Sequence, residues 1–132
     1  MGNSTIESVS LGSANVIYDF SFDENTIIKS VVIEYNAEKE LYIQTAFAGC
    51  TSLTEIVLPK NLHYVAVGGF SGFESLNSVF FGGTSDEWAS VEVENELNDE
   101  FLSASLYFYS ETEPTDTEGL YWHYVDGVAT PW

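Results

Sequence analysis

Four six-residue stretches of this chain share one pattern, apolar-x-x-apolar-x-apolar: Ile6/Val9/Leu11, Ile28/Val31/Ile33, Leu53/Ile56/Leu58 and Leu76/Val79/Phe81. Their starts lie 22, 25 and 23 residues apart. Repetition on that scale constrains the fold more than any other feature, because a unit of this length cannot bury its own apolar face. It must stack on a copy of itself, and the result is a solenoid. A second pattern keeps the same phase: Phe22-x-x-Asn25, Phe47-x-x-Cys50 and Phe70-x-x-Phe73 each lead into a hexad.

Within a hexad the last two apolar residues are two apart and fall on one face of a short strand, while the first marks the corner where the chain enters. Stacked coils set the hexads side by side as a parallel sheet, with Leu53, Ile56 and Leu58 beside Leu76, Val79 and Phe81. Apolar residues beyond each hexad (Val16, Tyr18 and Phe20; Leu41 and Ile43; Leu62, Val65 and Val67) continue the coil. Phe22, Phe47 and Phe70 are expected to form a buried aromatic ladder, and Cys50 to sit in the same interior as a small hydrophobe. As the single cysteine, it rules out an internal disulfide.

The chain of 132 residues is one domain's worth, and 45% hydrophobic residues exclude a disordered polymer. Its charge is lopsided: 21 Asp and Glu against three lysines and no arginine, a net of −18. Residues 1–60 hold 8 acids and all three lysines, whereas 61–132 hold 13 acids and neither Lys nor Arg. Such a surface repels nucleic acid and anionic membrane and steers basic partners inward. The N-terminus shows neither a signal-peptide pattern nor the myristoylation motif, and no run approaches the ~20 apolar residues that span a bilayer. A soluble, untargeted chain is expected.

The stretch Ala46-Phe47-Ala48-Gly49-Cys50-Thr51-Ser52-Leu53-Thr54-Glu55-Ile56-Val57-Leu58-Pro59 resembles the repeat core of BspA-like leucine-rich repeats, in which Ala-Phe and Gly-Cys precede Ser-Leu and a strand ends in Leu-Pro. The next unit departs from it with Phe73 at the Cys position, and the first two units are degenerate. The resemblance implies a leucine-rich-repeat-like right-handed coil with a short-stranded parallel sheet, few or no long helices and a mixed C-terminal cap. It also implies a non-enzymatic adhesion or interaction module of bacterial surface type, without cofactor.

From Gly82 the period breaks. Thr84-Ser85-Asp86-Glu87 is a capping box that predicts a short helix carrying Trp88, its first turn acidic as the helix dipole favours. A fifth hexad is expected at Phe101/Ala104/Leu106. Tyr121-Trp122-His123-Tyr124-Val125 then runs into Asp126-Gly127, a hairpin signal. With Phe108-Tyr109-Ser110-Glu111-Thr112-Glu113-Pro114, this tail is similar to the closing segment of some BspA-like proteins. Residues 1–83 are therefore expected to form the repeats and 84–132 a cap over the apolar end of the coil.

Parts for catalysis are missing from the sequence. His63 and His123 stand in no nucleophile or zinc motif, no glycine-rich phosphate loop occurs, and arginine, the usual bidentate anchor, is absent. Two surfaces remain for binding. Fifth hexad residues point away from the core, so Val32, Val57 and Phe80 are expected to form an outward apolar stripe suited to protein docking, beside a column of Ser8, Ser30, Glu55, Ser78 and Ser103. The competing expectation is that the cap folds over the stripe. The other surface is acidic: Asp86, Glu87, Glu92, Glu94, Glu96, Asp99 and Glu100, with the three middle glutamates on one face of a predicted strand. Ca²⁺ favours such oxygens, but their spacing matches no calcium loop.

Two functions follow. A protein-binding module would use the stripe and take a partner with a basic surface. An acidic inhibitor imitating nucleic acid, as phage anti-CRISPR proteins can, would use the carboxylates against the basic groove of a nuclease. A repeat fragment with no activity of its own is the third reading.

Overall fold

The computed structural model describes residues 8–11, 16–17, 29–35, 38, 40–43, 51–67, 74–116 and 118–132, the first two segments by backbone alone. The strands in chain order are β1 (Ser8–Leu11), β2 (Val16–Ile17), β3 (Ser30–Ile33), β4 (Leu41–Ile43), β5 (Glu55–Leu58), β6 (Leu62–Val65), β7 (Ser78–Phe81), β8 (Glu92–Val93), β9 (Ser105–Tyr109), β10 (Tyr121–Val125) and β11 (Val128–Pro131). Among the described residues two short helices, α1 (Ser85–Trp88) and α2 (Asp99–Ser103), flank β8.

From β1 to β9 odd-numbered strands stack on odd and even on even, as a coil requires, and β10 and β11 then extend the odd sheet. One sheet runs β1-β3-β5-β7-β9-β10-β11, and the other β2-β4-β6-β8. Among the described residues every pairing is parallel except the terminal hairpin β10–β11. The hexads align as their period demands: Val9, Val31, Ile56 and Val79 are successive partners, and Leu58 lies beside Phe81. The apolar residues that follow each hexad form a second sheet, which faces the first. Pro59 starts the corner between them, where the Leu62 N–H donates to the Pro59 carbonyl at 3.1 Å.

Between the sheets lies the main core. Val31, Ile33, Ile56, Leu58, Val79 and Phe81 enter from the first sheet, Leu41, Ile43, Leu62 and Val65 from the second, and Leu53 and Leu76 from the corners. Full burial of an aliphatic side chain contributes about 1.5–3 kcal/mol, so each coil gains several such increments only when its neighbour is in place. The expected ladder of Phe22, Phe47 and Phe70, and Cys50, lie outside the described residues.

The capping box forms as read from the sequence. The Thr84 N–H donates to Glu87 Oε1 at 3.0 Å, and the Glu87 N–H donates to Thr84 Oγ1 at 3.2 Å. α1 thereby presents Trp88 edge-on to Phe81 at 5.0 Å, and Phe101 from α2 lies 6.1 Å beyond Trp88. β8 returns to the second sheet beside β6. A left-handed Leu97 (φ 60°) then turns the chain, and fully buried Asn98 pins that turn by donating to the carbonyls of Ala66 (3.0 Å) and Glu94 (2.7 Å).

The fifth strand is present, but two residues out of the expected register. Leu106, not Ala104, pairs with Val79, and Phe108 pairs with Phe81. α2 consumes residues 99–103, so the strand starts later. An even shift keeps the inward parity of the apolar residues while placing a larger ring at the end of the row. The outward column consequently receives Ser105 in place of Ser103, and Tyr107 stands beside Phe80.

Two of the three residues expected to form an exposed stripe are covered. Val57 and Phe80 do point away from the main core, yet they are only 5% and 2% exposed. The cap covers them: Trp122 of β10 packs 5.5 Å from Phe80, and its indole N–H donates to the Phe81 carbonyl at 2.7 Å. Tyr107 and Tyr109 complete this second apolar layer. β10 can hold that position because Asp126 (φ 50°) and Gly127 (φ 79°) supply the two positive dihedrals a tight hairpin needs.

Trp122 and Asn98 are the two joints of this cap. Trp122→Ala is expected to lower the unfolding free energy by about 3–5 kcal/mol through lost burial and the cavity left behind. Asn98→Ala is expected to cost about 1–3 kcal/mol through the orphaned carbonyls. Urea titrations of both variants check the two values.

Candidate functional site

Trp122 covers the outer face of the first sheet only in part. Beyond it, over β3 and β5, an open cleft of about 350 Å³ remains. Its floor is Val32 and Val57, its cap side is Tyr109, Trp122 and Tyr124, and its rim is built from residues that directly follow β3 and β5. Strand order dictates this composition. Alternation sends Trp122 and Tyr124 to the same face of β10, while the ends of β3 and β5 deliver Glu34, Tyr35 and Lys60 to the mouth.

Two rings at the cleft are open to solvent, Tyr35 at 50% and Tyr124 at 47%. Trp122 is 1% exposed and sets the position of Tyr124 through an edge contact at 5.0 Å. The Lys60 ammonium lies over the Tyr35 ring, 5.0 Å from its centroid. Partial burial, and then the charges of Tyr109 and Glu34, hold the Tyr124 phenol above its ordinary value of 10.0. Glu34 is thus close enough to act on the cap across the cleft.

Of the three stripe residues, Val32 lies half-buried in the floor and Val57 beneath the cap edge, while Phe80 lies outside the lining. Tyr35, Lys60, Tyr109, Trp122 and Tyr124 were not anticipated as site residues. The period-two aromatics Trp122 and Tyr124 carried a usable signal, because a shared strand face follows from their spacing. Nothing in the spacing says which strand that face will cover.

The acidic set is distributed differently. Asp86 and Glu87 lie on α1, Glu92 on β8, and Asp99 and Glu100 on α2. None of these belongs to the cleft lining described here. The strand expected to carry three glutamates is only Glu92–Val93, because the chain turns at Leu97. Glu94 accepts from the Tyr64 hydroxyl at 3.1 Å, and Glu87 is committed to the helix cap. Among the described residues no three His, Cys, Asp or Glu side chains are grouped to hold a metal ion. His63 lies on the second sheet with Tyr42 (5.2 Å between rings) and Glu40 (3.8 Å), whereas His123 stacks on Trp132 in the hairpin.

Parallel coils closed by an aromatic cap, with few and short helices, define a repeat solenoid. The family described as BspA type leucine rich repeat region (6 copies) matches residues 1–92 of the 132. This chain belongs to that BspA-type leucine-rich repeat family, and the matched span holds the four windings from β1 through α1. No curated protein and no solved structure matches the chain. Among the described residues no helix is long and apolar enough to cross a membrane.

The Tyr124 phenol reports on the cleft. Glu34→Gln is expected to lower its titration midpoint toward 10.0 without reaching it, since burial is the larger cause. A phenol raised on folding contributes stability that is complete below its unfolded value and is lost as pH rises through the folded one. The variant should therefore lose less stability above pH 10, read by phenolate absorbance and alkaline unfolding.

Proposed function

We propose that this chain is a non-enzymatic protein-binding module of adhesion or interaction type, and that its contact surface is the cleft between Tyr35 and Tyr124. The observation that carries the reading is the incomplete cover of the outer sheet face. The cap seals Phe80 and most of Val57 but leaves the floor open at Val32 and the edge of Val57, beside two exposed aromatic rings. Anchors of this kind, aromatic and partly desolvated, supply much of the binding energy at protein interfaces. Membership in a repeat family whose units present one extended face supports the same reading. With a net charge of −18, the partner carries a basic surface.

The acidic-inhibitor alternative would place contact on α1, β8 and α2 instead, on the side of Glu92 and Glu96. A photo-crosslinking residue placed in turn at Tyr35, Glu96 and Glu118 separates the two. Under the cleft reading, Tyr35 yields a discrete protein adduct that Glu118 does not, and it persists in moderate salt. Adducts from Glu96 alone that vanish with salt would favour nucleic-acid mimicry. No adduct specific to Tyr35 would overturn the cleft.

A further inference from the structure

We infer that the cleft is built to receive a partner's arginine side chain, its guanidinium stacked against the rings of Tyr35 and Tyr124 with Glu34 as counter-charge. The inference rests on the protein-binding reading above and names the chemistry of the group that enters. The chain itself supplies the first argument: the Tyr35 ring already hosts a cation, the Lys60 ammonium at 5.0 Å. A ring face that holds a strongly hydrated ammonium in the open also suits a guanidinium, which is planar, less hydrated and stacks better on aromatics.

The second argument is charge. Lys60 and Glu34 at the mouth offset each other, so the sign of the wider surface decides which ion is drawn in. That surface is strongly negative, and residues 61–132, which include the cap, hold 13 acids without Lys or Arg. An anion aimed at Lys60 would have to cross the same field, which disfavours it. Shape is the third. A guanidinium on a three-carbon stem has apolar length for the floor of Val32 and Val57 and a charged head for the mouth. A small aliphatic side chain would gain nothing from the field.

Lys60 then plays a definite part: it occupies the ring in the free protein and must move aside for the incoming cation. The test is titration of the intact chain with a blocked pentapeptide carrying one central arginine among glycines and serines, followed by aromatic-ring NMR signals. Matched peptides carry citrulline, which keeps the shape without the charge, or leucine. The arginine peptide is expected to shift the Tyr35 and Tyr124 signals, and citrulline to bind at least about threefold more weakly. Lys60→Ala should tighten arginine binding and Glu34→Gln weaken it, each by about threefold. Equal binding of the citrulline or leucine peptide overturns the inference, as do shifts confined to Tyr64 beside Glu92 and Glu94. A Tyr35 adduct with a protein partner, in a chain that ignores the arginine peptide, would sink the arginine assignment while leaving protein binding standing.

Discussion

Each winding of this chain leaves two rows of backbone N–H and C=O groups unpaired until another winding lies against it, and everything else in the structure follows from that dependence. The parallel ladder from β1 to β10 satisfies one row, and the second sheet from β2 to β8 satisfies the other. Register is not free to slide, because apolar side chains two residues apart must all enter the space between the sheets. A slip of one residue would turn Ile56 and Leu58 outward and Val57 inward. In the first sheet β9 lies two residues from the expected hexad, which keeps this parity, whereas in the second the β4–β6 pair shifts register between Leu41 and Tyr42.

Stacking creates its own difficulty at the end of the pile, where an apolar face and a sheet edge would meet water. The C-terminal segment answers both. Trp88 and Phe101 close the interior, while β10 and β11 extend the sheet and fold an aromatic layer over its outer face. The edge strand β11 is short and ends at Pro131, which cannot donate to a further strand. Because the cap reaches only part of that face, closure and the cleft have one origin: Trp122 covers Phe80, and what Trp122 does not reach is left over β3 and β5.

The cleft follows from this geometry more than from any motif. The cleft joins residues from five parts of the chain, near 33, 59, 82, 109 and 123, which the coil carries to one end of the sheet. Its charged content is small, one lysine and one glutamate, and the rest of the lining is largely apolar or aromatic. The dense carboxylates lie on the α1, β8 and α2 side, where they set the field in which any partner approaches.

The hexad period alone settled the strand positions, the parallel pairing of β3, β5 and β7 and the inward residues, because side-chain alternation and strand spacing leave no other way to bury two residues per short strand. Thr84 with Glu87 and Asp126 with Gly127 were equally legible, since a helix cap and a tight turn are local matters of hydrogen bonding and dihedral angle. The apolar stripe was legible as a direction but not as an exposed surface: Val57 and Phe80 face outward as their parity demands, and only the tertiary path of β10 decided that they would be covered. Register at β9, the burial of Asn98 and the meeting of Tyr35, Lys60, Glu34 and Tyr124 likewise depend on contacts between segments 25 to 90 residues apart. Local spacing carries no record of such distances, because they are set by how the sheet and its cap come together in space.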